Sequence, residues 1–450
     1  MQDNKTPKVG FVSLGCPKNL VDSEVMLGTL ARQGYAITPN KEDADVIVVN
    51  TCGFIDTAKK ESIDTILEMA ELKAQGNCKK LVVAGCLAER YRSEIQKEIP
   101  EIDFIFGPDE LGRILEAVQL DSSPVPDVTI DALYSSKEIP TIPRILTTPS
   151  HMAYLKISEG CDHVCTFCAI PGFRGKFRSR TVTDLVAESR RLAEQGVREL
   201  VIVSQDTMAY GKDLGMANGI VSLLRDLVKV DGLRWVRFLY CYPNMVSEEL
   251  VRLVSEEERL CKYFDIPYQH ASRSVLERMK RGGHREIYER QIEGIRKMMP
   301  DAGLRTSFIV GFPGEAEADF KEVLTLMRNV NFDNVGVFLY SDEEGTGAFD
   351  LDAKVPRPTA TRRRNALMKE QAKISKKKLA GMIGRTVEVL LEGPSDESDL
   401  LLQGRMETQA PEIDGHVLIN DTGDTQVAVG QFYDVEITES LEYDLIGKIS

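Results

Sequence analysis

The sequence lacks any long apolar run. No stretch approaches the roughly 18 residues that a membrane-spanning helix needs, and the opening MQDNKTPKVG lacks the charged-then-apolar pattern of a secretory signal. These absences predict a cytoplasmic protein with no membrane partner. Because cysteines stay reduced there, the nine cysteines of the chain are expected to be ligands, reactive thiols or core residues rather than disulfides.

Positive charge is scarce at the C-terminal end of the chain. Residues 381–450 carry fifteen Asp and Glu against three Lys and Arg, a net charge of −12, whereas the whole chain carries −14. The preceding 380 residues are therefore close to neutral. Because nucleic-acid binding depends on cations that neutralise phosphates, this end of the chain favours a basic partner over an RNA.

Alternation of apolar runs with helical periodicity predicts an α/β protein of three domains. Residues 1–120 are expected to form an open parallel α/β domain, and six strand–helix units in 151–380 predict a partial (β/α) barrel. Residues 121–150, with five prolines and little periodicity, are expected to be a linker. Residues 381–450 show β-type alternation with Gly, Asp and Asn turns, which indicates a small antiparallel β-barrel.

Cys161, Cys165 and Cys168 lie together in the segment Glu-Gly-Cys-Asp-His-Val-Cys-Thr-Phe-Cys. Soft thiolates suit iron–sulfur clusters and zinc. A 4Fe-4S cluster has four irons, so three cysteines leave one iron without a protein ligand. That iron can chelate the amino and carboxylate groups of S-adenosylmethionine. A predicted strand precedes the segment and places it at the barrel mouth, where such barrels carry their active sites. The alternative is a structural zinc site with His163 as fourth ligand.

A second set of cysteines follows three predicted strands of the first domain. Cys16 comes after Val-Ser-Leu-Gly, Cys52 after Val-Val-Asn-Thr, and Cys86 after Val-Val-Ala-Gly. Because carboxyl ends of parallel strands share one edge of a sheet, these cysteines should meet in space. A second iron–sulfur cluster is the natural occupant, and three separate core thiols are the alternative. The remaining Cys78, Cys241 and Cys261 share no spacing and are expected to be structural.

Two segments resemble the radical SAM superfamily over about residues 150–380. The three-cysteine segment has the family spacing, with an aromatic residue, Phe167, before the last cysteine. The later segment Ser-Phe-Ile-Val-Gly-Phe-Pro-Gly-Glu, residues 307–315, is similar to the family stretch whose backbone lies near the adenine. The resemblance implies that Cys161, Cys165 and Cys168 hold a 4Fe-4S cluster that cleaves S-adenosylmethionine to a radical. It also implies that Gly311 and Glu315 lie near that cofactor.

The combination of two three-cysteine sets and a terminal β-barrel resembles the radical SAM methylthiotransferases. The resemblance covers essentially the whole chain. The resemblance implies a second 4Fe-4S cluster on Cys16, Cys52 and Cys86, and a TRAM domain that recognises substrate at the C-terminus. It implies two uses of S-adenosylmethionine. One molecule gives its methyl group to a sulfur associated with the N-terminal cluster. A second yields the 5′-deoxyadenosyl radical, which removes hydrogen from the substrate carbon before the methylthio group is added.

Two substrate branches of that family remain, one acting on tRNA adenosines and one on the β-carbon of an aspartate in ribosomal protein uS12. Leu-Gly-Cys-Pro-Lys-Asn-Leu-Val-Asp-Ser-Glu and Ala-Pro-Glu-Ile-Asp-Gly resemble the ribosomal-protein branch. The Gly-Cys-Gln-Met-Asn-like motif of the tRNA branch is missing. The acidic C-terminal domain suits a basic ribosomal protein and would repel a tRNA. A non-enzymatic iron–sulfur carrier is a further alternative, which would need neither a barrel nor a substrate module.

Several cations and loop residues are candidates for the site. Substrate contacts are predicted for Lys18 and for a run of cations after the cysteine segment: Arg174, Lys176, Arg178 and Arg180. Asn19 is the predicted N-cap of the following helix. Six side chains after barrel strands are expected to line the mouth: Gln205, Asp206, Tyr240, Tyr242, Gln269 and His270.

The remaining partners are predicted more generally. The basic stretch 357–378, with nine Lys and Arg and one Glu, is interpreted as a helix packed on the barrel with its cations in water. The alternative is contact with ribosomal RNA. We also expect an electron donor, uS12 either free or in the small ribosomal subunit, and a monomeric enzyme.

Overall fold

The structure is a computed structural model that describes residues 7–120, 144–396 and 398–450. Most of the predicted linker falls on residues 121–143 and so lies outside the described residues. No helix in the described ranges is long and apolar enough to cross a membrane.

The chain folds into two compact units. The first comprises the described parts of Met1–Thr147 together with Lys156–His163 and Cys168–Leu185. The second comprises Thr148–Leu155, Val164–Phe167 and the described parts of Val186–Ser450.

The first unit is built on a five-stranded parallel sheet in the order β2-β1-β3-β4-β5. Its strands are β1 (Lys8–Ser13), β2 (Ala36–Thr38), β3 (Val46–Thr51), β4 (Lys80–Gly85) and β5 (Phe104–Phe106). Every residue of β3 is buried, as expected for a central strand covered on both faces. The strand order reverses between β1 and β3, and open sheets of this kind bind ligands at that switch point.

Five helices of the described residues connect and flank these strands. They are α1 (Pro17–Arg32), α2 (Asp56–Gln75), α3 (Cys86–Arg90), α4 (Arg92–Glu98) and α5 (Ile114–Val118), with 3-10 turns at Lys41–Asp43 and Pro108–Arg113. Later residues complete the unit: an antiparallel pair, β7 (Ser158–Glu159) with β8 (Arg178–Ser179), and the helix α6 (Ile170–Arg174) between them.

A partial (β/α) barrel confirms the predicted central architecture. Two three-stranded sheets, β10-β9-β6 and β11-β12-β13, are joined by a parallel bridge between Val236 and Leu260. The strands are β6 (Met152–Lys156), β9 (Glu199–Val203), β10 (Trp235–Phe238), β11 (Tyr263–Asp265), β12 (Gly303–Val310) and β13 (Asn334–Leu339). The helices are α7 (Val182–Glu194), α8 (Gly219–Leu227), α9 (Glu248–Glu256), α10 (Arg273–Arg278), α11 (Arg285–Met298) and α12 (Glu317–Val330), with 3-10 turns at Thr207–Ala209 and Pro243–Met245.

The basic stretch forms the helix α13 (Arg357–Ala380) and packs on the barrel as predicted. Its buried stripe includes Ala360, Leu367 and Ile374 at seven-residue spacing, which is the spacing of a helix face. Gln371 donates to the Phe332 and Asp333 carbonyls at 3.1 and 3.0 Å. The stretch therefore serves to cover the barrel.

The C-terminal strands close into a barrel in the order β14-β15-β16-β18-β17. They are β14 (Thr386–Ser395), β15 (Ser398–Arg405), β16 (Val417–Asp421), β17 (Phe432–Ser440) and β18 (Leu445–Ile449). The pairings are antiparallel except for β16 with β18, which is parallel. Because the barrel is closed, it has no edge strand with unpaired backbone N–H and C=O groups. Its interior contains Val389, Leu391, Val417, Val435 and Ile437.

This C-terminal barrel packs against the amino-terminal ends of the central strands. Trp235, the first residue of β10, meets Phe432 with ring centroids 4.8 Å apart. The hydroxyl of Tyr263, the first residue of β11, donates to Asp414 at 2.6 Å. A side chain at Gly303, the first residue of β12, would lie 2.7 Å from the Thr408 carbonyl oxygen. The C-terminal barrel therefore occupies the end of the central barrel opposite its carboxyl-end loops.

Buried ion pairs reinforce this contact. The Glu199 carboxylate, fully buried, accepts from Arg237 at 2.7 Å and from Arg405 of β15 at 2.6 Å. Arg405 also donates to Glu392 at 2.8 Å. Burial alone would raise the pKa of Glu392, but His151 and Arg405 outweigh it and hold that pKa at about 2.

This depressed pKa predicts an acid-sensitive C-terminal barrel. The stability that Glu392 contributes should be fully present above its ordinary pKa near 4.5 and lost as the pH falls toward about 2. Glu392→Gln should therefore lower the melting temperature at pH 6 and flatten its decline below pH 4.5. Calorimetry of both proteins between pH 2 and pH 6 provides the measurement. Parallel melting curves across that range would contradict the assignment.

Candidate active site

Three strand ends of the first unit bring Cys16, Cys52 and Cys86 together, as predicted. Each cysteine follows its strand directly or within three residues, after β1, β3 and β4, which are neighbours in the sheet. A side chain at Gly15 would lie 3.1 Å from the Cys52 sulfur, so the backbone before Cys16 passes close to Cys52. Gly15 has φ of 92°, a conformation that favours glycine.

The thiols influence one another's ionisation. Burial raises the pKa of Cys52, and the neighbouring Cys16 adds to the effect. Burial likewise raises the pKa of Cys86 to about 12, although Arg174 opposes it. For Cys16 burial is outweighed by Lys18 and Arg174, so its pKa is lowered. Cys16 is also the residue at the N-cap position of α1, and a thiolate is favoured at a helix N-terminus. Asn19 was the predicted cap, and that prediction is wrong because the helix already begins at Pro17.

The donor set of this first site fits an iron–sulfur cluster. Soft thiolates suit such clusters, and each cysteine of a 4Fe-4S cluster binds a separate iron. The three cysteines follow strands beside the switch point of the sheet, where open sheets bind ligands.

Arg174 is the residue of α6 that enters this first site. Its Nε lies 3.2 Å from the Cys86 sulfur, and its terminal nitrogens donate to Asp22 at 2.8 Å, Glu159 at 3.0 Å and Asn19 at 3.2 Å. Its side chain is 2% exposed. Arg174 was expected to bind substrate, but the structure places it in the protein interior, beside a cysteine.

The other predicted substrate cations are distributed differently. Lys18 is buried and lies near Cys16. Burial is the largest influence on the pKa of Cys16 and raises it, whereas the charge of Lys18, followed by that of Arg174, lowers it. Arg180 is buried and pairs with Asp184 at 2.7 Å. Arg178 pairs with Asp109 at 2.6 Å on the surface, and Lys176 is exposed.

The second cysteine set occupies the loop of residues 160–169, between β7 and α6. Its three cysteines are each half-buried. Backbone contacts fix the start of the loop: the Cys161 amide donates to the Gly175 carbonyl at 3.1 Å, and the Phe177 amide donates to Asp162 at 3.1 Å. Gly160, with φ of 76°, allows the Lys176 carbonyl to approach its Cα.

Cys165 lies among residues that follow the barrel strands. An Arg281 terminal nitrogen is 3.4 Å from its sulfur, and the other donates to the Pro267 carbonyl, just after β11, at 3.0 Å. The same guanidinium stacks over Tyr242, after β10, at 4.4 Å from the ring centroid. Cys165 is thus at the carboxyl-end mouth of the barrel, as predicted. Arg281 was missed from the sequence because 116 residues separate it from Cys165.

Residues after β10 and β11 depart from ordinary backbone geometry. Tyr240 and Gln269 have φ of 63° and 67°, in the left-handed region that non-glycine residues seldom adopt. Such conformations persist where surrounding contacts enforce them, often at functional sites. Burial lowers the pKa of His270 to about 3, so its imidazole is neutral, and its Nδ1 accepts from the Ser272 amide at 3.0 Å. Asp206 caps a 3-10 turn.

Gly311 and Glu315 form the turn after β12. The Glu315 carboxylate accepts from the Gly311 amide and, at 3.1 Å, from the Phe312 amide, and it pairs with Arg363 of α13 at 3.0 Å. Burial raises the pKa of Glu315 despite Arg363. Because these contacts engage its carboxylate, Glu315 shapes the turn whose backbone was predicted near S-adenosylmethionine. Cys78, Cys241 and Cys261, expected to be structural, are all buried.

Three family models match the chain in order. Residues 8–107 match the "uncharacterized protein family UPF0004", residues 155–327 match the radical SAM superfamily, and residues 383–449 match the TRAM domain. The solved structure of the radical S-adenosylmethionine methyltransferase TsrM from Kitasatospora setae is similar in fold, with a TM-score of 0.53 and 15% identity, covering 74% of this chain and 75% of that chain.

Curated relatives match almost the full length. A ribosomal protein uS12 methylthiotransferase RimO from Koribacter versatilis (strain Ellin345) is 49% identical over 489 residues, covering 99% of this chain and 97% of that protein. A protein of the same name from Solibacter usitatus (strain Ellin6076) is 50% identical over 444 residues, covering 98% and 94%.

A parallel sheet with cysteines at three strand ends, a radical SAM barrel and a closed TRAM barrel together define the class of radical SAM methylthiotransferases. As a radical SAM protein, the chain works with a 4Fe-4S cluster and S-adenosylmethionine. Its alignment over 99% and 98% of its length, at 49% and 50% identity to the two relatives, identifies the family within this class. The chain belongs to the RimO family of ribosomal protein uS12 methylthiotransferases.

Proposed function

We propose that this protein is an enzyme that adds a methylthio group to the β-carbon of an aspartate in ribosomal protein uS12. The observation that carries the proposal is the full-length identity of 49% and 50% to proteins named for uS12 methylthio transfer. Both cysteine sets that the reaction requires are present in this chain, one on a sheet edge and one at a barrel mouth.

The two cysteine sets would hold different clusters. Cys161, Cys165 and Cys168 would bind the radical SAM cluster, and Cys16, Cys52 and Cys86 would bind a second 4Fe-4S cluster. When bound, the radical SAM cluster and S-adenosylmethionine would supply the radical, and S-adenosylmethionine would also supply the methyl of the methylthio group. The chain itself orients these groups through the turn of Gly311 and Glu315 and through two arginines that donate to cysteine sulfurs.

Charge supports uS12 as the substrate over a tRNA. Among its described residues, the C-terminal barrel exposes eight acidic side chains: Asp396, Asp399, Glu412, Asp421, Asp424, Asp434, Glu439 and Glu442. Such a surface repels phosphates and attracts a basic protein. The basic helix α13 buries one face on the barrel, and its exposed cations are where ribosomal RNA would touch.

The remaining assignments are part of the same proposal. The enzyme would act in the cytoplasm as a monomer, on uS12 that is free or in the small ribosomal subunit, with electrons from a separate donor. Residues 1–120, 151–380 and 381–450 would be its domains, with 121–150 as linker. The exposed Lys176 and the half-exposed Arg178 are the cations best placed for substrate.

Product mass on two substrates tests the proposal. The anaerobically reconstituted protein, given S-adenosylmethionine and a reductant, should form methionine and 5′-deoxyadenosine and replace one hydrogen of uS12 by SCH₃. Hypomodified tRNA should be unchanged, and uS12 with the target aspartate changed to alanine is the control. Modification of the tRNA alone would overturn the substrate, and absence of 5′-deoxyadenosine from fully loaded protein would favour a non-enzymatic carrier.

A further inference from the structure

Arg174 reaches the first cysteine site from a part of the chain distant in sequence. It ends α6, six residues beyond Cys168, and its Nε contacts the Cys86 sulfur at 3.2 Å. The next residue, Gly175, accepts the amide hydrogen of Cys161 at 3.1 Å. Two consecutive residues therefore touch one cysteine of each set.

The guanidinium is held in a buried four-charge network. Asp22 and Glu159 are the two acids, Lys156 and Arg174 are the two bases, and each of the four side chains is at most 5% exposed. Lys156 donates to Glu159 at 2.7 Å and also to Asp22. Arg174 donates to Asp22 at 2.8 Å and to Glu159 at 3.0 Å, so both acids contact both bases. These contacts fix the position of Arg174.

The positive charge of Arg174 would lie beside a cluster whose negative charge increases on reduction. Three thiolates make a 4Fe-4S cluster anionic, and each electron added makes it more so. Hydrogen bonds to the sulfurs and nearby charge are among the factors that set the reduction potential of such clusters. An N–H donor with a fixed positive charge stabilises the reduced form more than the oxidised form, which raises the potential.

We propose that Arg174 is a positioning residue of the N-terminal cluster, which raises the reduction potential of that cluster through its contact with Cys86. This inference rests on the proposed function, because it requires a cluster on Cys16, Cys52 and Cys86. It assigns to Arg174 a task at the cofactor in place of the substrate contact expected from the sequence.

The test isolates the N-terminal cluster in the full-length chain. Cys161, Cys165 and Cys168 are changed to alanine, so that iron can bind only at the other set. After anaerobic reconstitution, iron and sulfide content are measured, and the midpoint potential is followed by electron paramagnetic resonance during a redox titration. Arg174→Met should make the reduction equilibrium at least tenfold less favourable, which is 59 mV for a one-electron couple.

Further variants separate charge from hydrogen bonding. Arg174→Lys keeps the charge without the guanidinium fork, and a smaller shift in the same direction is expected. Adding Asp22→Asn to Arg174→Met restores the charge balance without the donor and should recover part of the shift. Arg113→Met removes a cation that pairs with Glu110 and Glu116 at the surface, and should leave the potential unchanged.

The possible failures are distinguishable. A chain with Arg174 intact that binds no cluster at Cys16, Cys52 and Cys86 would overturn the proposed second cluster. A loaded cluster whose potential is the same with Arg174 and with methionine there would overturn the inference alone. If Arg174→Met does not fold, as judged by circular dichroism, the Arg174→Lys protein decides, and an unshifted potential in it counts against the inference.

Discussion

Replacing Cys165 by alanine should abolish formation of 5′-deoxyadenosine, whereas replacing Cys52 should spare it and stop methylthio transfer. Cys165 lies at the barrel mouth, with Arg281 at 3.4 Å from its sulfur. Cys52 lies at a sheet edge beside Gly15. Because a radical SAM cluster needs all three of its cysteines, one loss should reduce cleavage of S-adenosylmethionine to background.

The measurement is paired quantification of 5′-deoxyadenosine and of modified uS12 from the same reaction. Cys52→Ala protein is expected to keep cleavage within a few-fold of the unaltered enzyme while yielding no methylthiolated product. Cys78→Ala is a matched control, because Cys78 is a buried cysteine of the same unit outside both sets. Equal loss of cleavage in the Cys165 and Cys52 variants would contradict the division of tasks between the two sites.

Replacing Glu199 by glutamine should lower the free energy of unfolding by about 3–5 kcal/mol, which is the usual cost of removing one partner from a buried ion pair. Glu199 is the anion between Arg237 and Arg405, and all three side chains are fully buried. Without it, two guanidinium groups would remain buried with one fewer counter-charge. Because Arg405 belongs to the C-terminal barrel, the loss should also loosen the attachment of that barrel.

An exposed ion pair across the same contact provides the control. Arg234 and Glu388 are 2.6 Å apart, with side chains 57% and 37% exposed. Arg234→Ala should therefore cost less than about 1 kcal/mol. Urea unfolding of the three proteins, with limited proteolysis to detect release of residues 381–450, measures both effects. Similar costs for the buried and exposed variants would show that burial of the Glu199 pairs contributes little.

The sequence predicted features that depend on local pattern. The strands of the parallel sheet and of the barrel are buried apolar runs, so their alternation with helical segments predicted both architectures. Placing Cys16, Cys52 and Cys86 together needed only the rule that parallel strands end at a common edge. The short strand β2, at Ala36–Thr38, was missed because three half-exposed residues carry too little periodicity.

Contacts over long sequence distances could not be predicted in the same way. Arg174 and Asp22 are 152 residues apart, and no local pattern links them. The cation run around Arg174 looked like a substrate-binding surface because a run of charges does not indicate which members are buried. The parallel pairing of β16 and β18 was likewise unexpected, since it depends on how the barrel closes.

The C-terminal barrel and the carboxyl-end loops lie at opposite ends of the central barrel, and the distance between them sets a minimum length for a partner that contacts both. Strand β12 has eight residues between the contact at Gly303 and the turn at Gly311. At about 3.3 Å per residue and a tilt near 36°, it spans roughly 20 Å along the barrel axis. A partner that contacts both the loops at the mouth and the C-terminal barrel must therefore extend over at least this distance.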